Sequence, residues 1–222
     1  MGCREKVKKL RPSPRLVTRV LRRLSSHQGK TMLARLGQGK PFQTLVATIL
    51  SARVRDEVTE QVVPELLRRW PDAASLARAR PAEVEGVIRR IGLYRVKSKR
   101  LVQVARQLVE RHGGRVPDSL EQLVQLPGVG RKTAGCVVVY AFGGRALPVD
   151  THVHRISNRL GWVDTRSPEQ TERALLEMVP PGWQARVNDL LVHHGKTICL
   201  PRGPRCGECP VRNDCARGRE TT

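Results

Sequence analysis

The sequence predicts an all-α protein. Apolar residues recur at three- and four-residue steps through most of the 222 positions, Pro or Gly stands at most junctions between these stretches, and clear apolar–polar strand alternation is missing. Residues 1–14 are basic, contain Pro12 and Pro14, and are expected to form a mobile arm. Helical period then runs through Arg15–His27, Phe42–Ala52, Arg55–Trp70 and Val96–Arg111. Pro64 inside the third stretch predicts a kink or an early break. Shorter helices fit Pro81–Ile91, Ser119–Gln125, Arg131–Phe142, Thr151–Leu160, Pro168–Val179 and Gln184–His194. The β-branched run Val137-Val138-Val139 lies within a longer helical pattern and is read with it. No internal repeat is present.

Charge narrows the choice of partner. Lys and Arg number 41 against 20 acidic residues, a formal net charge of +21, and 32 of those cations are arginine, whose planar fork suits phosphate. Such an excess repels itself unless a polyanion is near, so nucleic acid is the expected partner. No stretch approaches the roughly 20 apolar residues that a membrane-spanning helix needs. Gly2 invites a lipid-anchor reading, but Lys6 stands where that motif needs Ser or Thr, and no secretory signal follows. The chain is therefore read as intracellular. A reducing compartment turns its six cysteines toward metal or cluster ligation rather than disulfides.

Leu126-Pro-Gly-Val-Gly-Arg-Lys132 reads as a tight turn between two helices. Gly128 and Gly130 free the turn for positive φ and for close approach to a ligand. The helix that follows offers unpaired N–H groups and a positive dipole end, which favour an anion. With Arg131 and Lys132 directly after the turn, a DNA phosphate is the expected occupant. An ordinary αα-hairpin with glycines for packing is the plainer reading, and the basic pair and global charge weigh against it. Lys132 sits in the first turn of its helix, where the dipole lowers an amine's pKa and prepares it to attack carbon. Asp150 precedes the stretch 151–160 and suits an N-cap, a role compatible with a fixed catalytic carboxylate.

Cys199, Cys206, Cys209 and Cys215 follow Cys-x6-Cys-x2-Cys-x5-Cys within one Pro-rich loop. Four thiolates from a single loop suit a cubane cluster, with zinc the competing centre on spacing alone. Arg202, Arg205 and Arg212 in and beside that loop suggest a basic, DNA-facing surface. Cys3 and Cys136 fall outside the pattern and are expected as a mobile thiol and a buried core residue.

Leu-Pro-Gly-Val-Gly-Arg-Lys-Thr-Ala at 126–134 and Val-Asp-Thr-His at 149–152 resemble the helix-hairpin-helix DNA glycosylases of the endonuclease III family. Leu-Ser-Ala-Arg-Val-Arg-Asp at 50–56, Ile-Gly-Leu-Tyr at 91–94 and the terminal cysteines extend the likeness from about Pro41 to Cys215. The resemblance implies two helical lobes with the DNA cleft between them. One is a six-helix barrel at 34–144, with the helix-hairpin-helix at about 120–142. The other, from 15–33 and 145–222, bears a [4Fe–4S] cluster on the four cysteines.

It further implies a base-excision-repair glycosylase and abasic-site lyase acting on damaged double-stranded DNA, with oxidised pyrimidines the expected bases. Lys132 would attack C1′ of a flipped nucleotide, Asp150 would assist, and β-elimination would break the strand. Leu93 and Arg53 would fill the emptied stack, Arg53 standing where many members have glutamine. Gly128, Gly130, Arg131 and His152 complete the expected DNA contacts, with His152 supporting Asp150 and His154 left at the surface. Asp56 suits a cap on the next helix. A monomer in the cytoplasm, associated with the nucleoid, is expected. A non-catalytic DNA-binding module, a monofunctional mismatch glycosylase and a redox protein centred on the cluster are the rival readings.

Overall fold

The computed structural model describes residues 12–26, 31–36 and 39–220, and every regular element among them is helical. Cys3 and the other residues up to position 11, and the expected helix end at His27, lie outside the described residues. The first helix, α1 (Pro14–Ser25), starts where Ser13 caps it: the Leu16 N–H donates to Ser13 Oγ at 3.2 Å, and Pro14 supplies the preset φ of the first turn. Val17, Val20, Leu21 and Leu24 form its buried stripe.

Two compact units account for the fold. One is Thr31–Ala146, and the other combines the chain before Thr31 with the chain from Leu147 onward. The Thr31–Ala146 unit contains α2 (Met32–Leu36), α3 (Pro41–Ser51), α4 (Asp56–Arg69), α5 (Ala73–Ala77), α6 (Pro81–Ile88), α7 (Tyr94–His112), α8 (Leu120–Leu123) and α9 (Arg131–Phe142). Its core joins Leu45, Leu50, Leu66, Ile88, Leu101, Leu108, Leu123 and Val137. The other unit contains α1, α10 (Thr151–Leu160), α11 (Pro168–Met178), α12 (Pro181–Thr197) and α13 (Ala216–Glu220) around Leu21, Leu24, Ile156, Leu175 and Leu191.

Several local expectations are corrected. Helix α4 runs through Pro64 without a break, because Val62, Val63 and Leu66 on either side of it are held in the core. Asp56 is the first helical residue rather than the cap; Arg55 takes the cap position without a side-chain bond. Asp56 and Glu57 instead place negative charge at the positive end of the helix. The short helices α2, α5 and α13 have only five residues each, too few for a period to declare itself. Helix α12 starts three residues before its expected beginning, with Pro181 at its first position.

Candidate functional site

The hairpin is built by α8, the turn at Gly128 and α9. Gly128 has φ +70°, and a Cβ there would collide with the Arg100 side chain. Arg100 lies on α7, so the long helix packs directly against the turn. Gly130 corrects the expectation of two positive-φ glycines. Its φ is −85° and ψ 172°, it is the cap of α9, and the space where a Cβ would sit is open. Gly130 places no capping side chain over the first turn of α9. Arg131 is exposed and Lys132 half-buried in this same first turn, while Cys136 is fully buried further along the helix.

Two other loops of this unit carry Arg53 and Leu93. Among the described residues these are the only non-glycine positions at positive φ, 58° and 61°. Each such conformation costs about 1–2 kcal/mol for a residue with a Cβ, so the surroundings must impose it. Both residues are exposed, Leu93 to 62% although it is apolar. A Cβ on Gly92 would stand 4.0 Å from the Arg53 carbonyl oxygen and 3.9 Å from Val54 Cγ2, so the two loops lie side by side.

In the other unit Asp150 caps α10. Its Oδ1 accepts the N–H groups of His152 and Val153, both at 2.9 Å, which fixes the direction of the half-buried carboxylate. Asn188, buried on α12, donates to the Pro148 carbonyl at 3.0 Å and steadies the approach to the cap. His152 supports Asp150 through its backbone. Its ring lies 3.2 Å from Arg155 Nη2. Burial lowers the imidazole pKa from its ordinary value, against the opposing pull of the Asp150 charge. A Cβ on Gly195 would stand 2.5 Å from His152 Nδ1, so that glycine allows α12 to approach α10. His154 is not a surface residue: its Nδ1 meets Thr171 Oγ1 at 2.7 Å in a half-buried setting.

The four cysteines Cys199, Cys206, Cys209 and Cys215 line one cavity together with Ile156, Leu160, Val211 and His194. Two 3₁₀ turns, Cys206–Glu208 and Arg212–Asp214, shape the loop. Three helices grip it. From α1, Arg19 and Arg23 bind the carboxylate of Asp214 at 2.7 and 2.8 Å. From α10, Arg159 donates to the Cys199 sulfur at 3.4 Å and to the carbonyls of Leu200 and Pro201 at 2.6 and 2.8 Å, while Arg155 reaches the Cys199 carbonyl at 2.9 Å. From α12, His194 Nε2 lies 3.6 Å from the Cys209 sulfur.

Burial pushes the Cys209 thiol up to about 11, opposed by a backbone hydrogen bond from Val211. Cys215 is raised for the same reason against the N–H groups of Gly218 and Arg217. A cationic centre reverses that preference and stabilises the thiolates. The sulfurs, their N–H and guanidinium donors and the apolar wall fit such a centre. Among the described residues no group of three or more His, Cys, Asp and Glu is gathered as a site for one metal ion, so what the geometry provides is a cavity bordered by four thiols.

Sequence reasoning missed Lys97, Arg100, Arg155, Arg159, Asn188 and Asp214. Each acts through a contact distant in sequence, which leaves no local pattern.

Comparison with known proteins agrees with this geometry. Residues 46–181 match the model of the HhH-GPD superfamily of base excision DNA repair proteins. Endonuclease III of Thermotoga maritima is 50% identical over 175 residues, covering 79% of this chain and 82% of that protein. The Escherichia coli K12 enzyme is 38% identical over 183 residues, covering 81% and 85%. A solved structure of a trapped covalent endonuclease III–DNA intermediate superposes with a TM-score of 0.85 at 30% identity, covering 94% of this chain and 98% of that one. A thermostable thymine-DNA glycosylase gives a TM-score of 0.80 at 25% identity, covering 92% and 95%. The chain belongs to the endonuclease III family of the HhH-GPD superfamily of base excision DNA repair proteins.

Proposed function

We propose that this chain removes oxidised pyrimidines from double-stranded DNA and cleaves the strand through a Schiff base on Lys132. At the coarser level, membership of the family makes the chain a bifunctional DNA glycosylase and abasic-site lyase of base excision repair. The observation that carries the finer reading is Lys132 in the first turn of α9, directly after a cap that has no side chain.

The positive end of the α9 dipole favours a neighbouring phosphate, which brings the sugar of the extruded nucleotide toward Lys132. The Lys132 nitrogen bonds to C1′ of the extruded nucleotide, and the glycosidic bond breaks with its electron pair leaving on the base. Asp150, held by two N–H groups, supplies negative charge opposite the cation that develops on the sugar. The attached nitrogen loses a proton, the C1′–O4′ bond opens with its electron pair going to O4′, which takes up a proton, and the resulting iminium acidifies C2′. Loss of the C2′ proton expels the 3′ phosphate by β-elimination, and water then frees the lysine. Gly128, Gly130 and Arg131 hold backbone phosphate, and His152 keeps the segment after Asp150 in place.

Cys199, Cys206, Cys209 and Cys215 would hold a [4Fe–4S] cluster. When bound, its iron supplies bonds to four thiolates and cross-links the loop. Arg202, Arg205 and Arg212 then face DNA from an ordered surface. No described helix is long and apolar enough to cross a membrane. On this reading the protein is a monomer of the cytoplasm, working on the nucleoid.

The test is a panel of duplexes carrying thymine glycol, an abasic site, uracil or a guanine–thymine mismatch. Release of thymine glycol with cleavage 3′ to the lesion is expected. Release of mispaired thymine without strand cleavage would favour a monofunctional mismatch enzyme instead, the reading that the likeness to a thymine-DNA glycosylase supports.

A further inference from the structure

We propose that Lys97 is the positioning residue that holds the Arg53 and Leu93 loops in one register, so that both side chains enter the emptied base stack together. This rests on Arg53 and Leu93 being the stack-filling side chains. Lys97 lies in the first turn of α7, and its backbone N–H donates to the Leu93 carbonyl at 3.0 Å. Its side chain runs inward and is only 4% exposed. The ammonium donates to the Leu50 carbonyl at 2.8 Å and to the Ala52 carbonyl at 2.7 Å.

Leu50 belongs to the last turn of α3, whose terminal carbonyls have no partner within the helix. Ala52 immediately precedes Arg53. One residue is thus bonded through its backbone to Leu93 and through its side chain to the neighbour of Arg53. These are the two non-glycine residues at positive φ among those described, and their loops touch at Gly92.

A buried ammonium is unfavourable unless it is fully hydrogen-bonded, and a methionine would fill the same volume without that cost. Burial, and after it the charge of Arg100, lowers the lysine pKa to about 8, which leaves the cation charged at neutral pH. What the cation adds beyond packing is the fixed distance between two strained loops. A left-handed residue with a Cβ persists only where its surroundings impose it, and Lys97 is bonded beside both.

Lys97→Met keeps the stem and removes the donors. Two readouts test it: single-turnover excision of thymine glycol, and fluorescence of 2-aminopurine placed opposite a reduced abasic site, which reports filling of the stack. Arg53→Ala and Leu93→Ala should each slow excision and alter the fluorescence. Lys97→Met should alter the fluorescence in the same sense and slow excision by about tenfold or more. Added to the Arg53→Ala/Leu93→Ala double variant, it should have little further effect, because its action passes through those two side chains. Val104→Ala, a core truncation on the same helix, supplies a destabilised control that should leave the fluorescence unchanged. Should Lys97→Met not fold, Lys97→Arg carries the same comparison, keeping the cation while moving its donors.

Excision by Lys97→Met within about twofold of wild type would overturn the proposal, as would a loss that multiplies undiminished onto the double variant. If Arg53→Ala and Leu93→Ala are themselves silent in both readouts, the stack-filling assignment is what fails, and the role of Lys97 falls with it.

Discussion

Arg159 donates through Nη1 to the Cys199 sulfur across 3.4 Å. The same guanidinium holds the carbonyls of Leu200 and Pro201, so α10 is fastened to the start of the cysteine loop by one side chain. Asp150 caps the opposite end of that helix. Order in the loop and the direction of the carboxylate are therefore properties of one rigid element.

Arg159→Leu keeps the apolar stem and deletes these bonds. It is expected to lower unfolding stability by about 1.5–3 kcal/mol, the range for hydrogen bonds to a charged partner. Iron and acid-labile sulfide per chain should fall with it. Denaturant unfolding together with iron and sulfide analysis of the purified variant checks both effects.

Capping and chemistry separate at Asp150. Asparagine caps nearly as well as aspartate, so Asp150→Asn should unfold within about 1 kcal/mol of wild type, whereas Asp150→Ala loses the cap and about 1 kcal/mol. Excision by the asparagine variant should nevertheless fall by about 100-fold or more, because the negative charge is gone. Melting curves and single-turnover rates on one set of proteins distinguish the two roles.

Much of this was legible in the sequence wherever a cap or breaker marks a boundary. Helix α9 begins after Gly130 and ends before Gly143, and α10 runs from the Asp150 cap to Gly161, so both were read with their observed bounds. The cysteine spacing likewise announced one loop, whose four thiols border a single cavity. Pro64 misled, because the core contacts of α4 outweigh a single missing backbone bond. Lys97 could not be found, since a lysine on an amphipathic helix looks solvated until α3 is packed beside it. The geometry of Gly130 was also hidden: spacing marks a glycine without distinguishing a need for positive φ from a need for empty space.

The two hairpin glycines should respond differently to alanine. Gly128→Ala forces a left-handed residue at a cost of about 1–2 kcal/mol and displaces Arg100, so it should lower both stability and DNA affinity. Gly130→Ala meets no protein atom and should cost at most about 1 kcal/mol, yet place a methyl group where phosphate is expected to approach. Affinity for an abasic-analogue duplex, measured beside the melting temperature, separates a folding defect from a binding defect.

Lys97 also predicts a pH effect. Its folded pKa of about 8 lies below the ordinary lysine value of 10.5, so the unfolded chain binds more protons between these values. Its contribution to stability is therefore least below pH 8 and rises as the pH approaches 10.5. The difference in unfolding free energy between wild type and Lys97→Met should change across that window in favour of wild type. A pH-independent difference would show that the lysine is not titrating as its burial requires.

Borohydride trapping tests the central claim most directly, because reduction captures the imine before β-elimination can complete. Wild-type protein mixed with a thymine glycol or abasic-site duplex and sodium borohydride should give a covalent protein–DNA adduct, with the modified peptide mapping to Lys132. Lys132→Gln should give none while still binding the duplex. An undiminished adduct in that variant, or one mapping to another residue, would contradict the account.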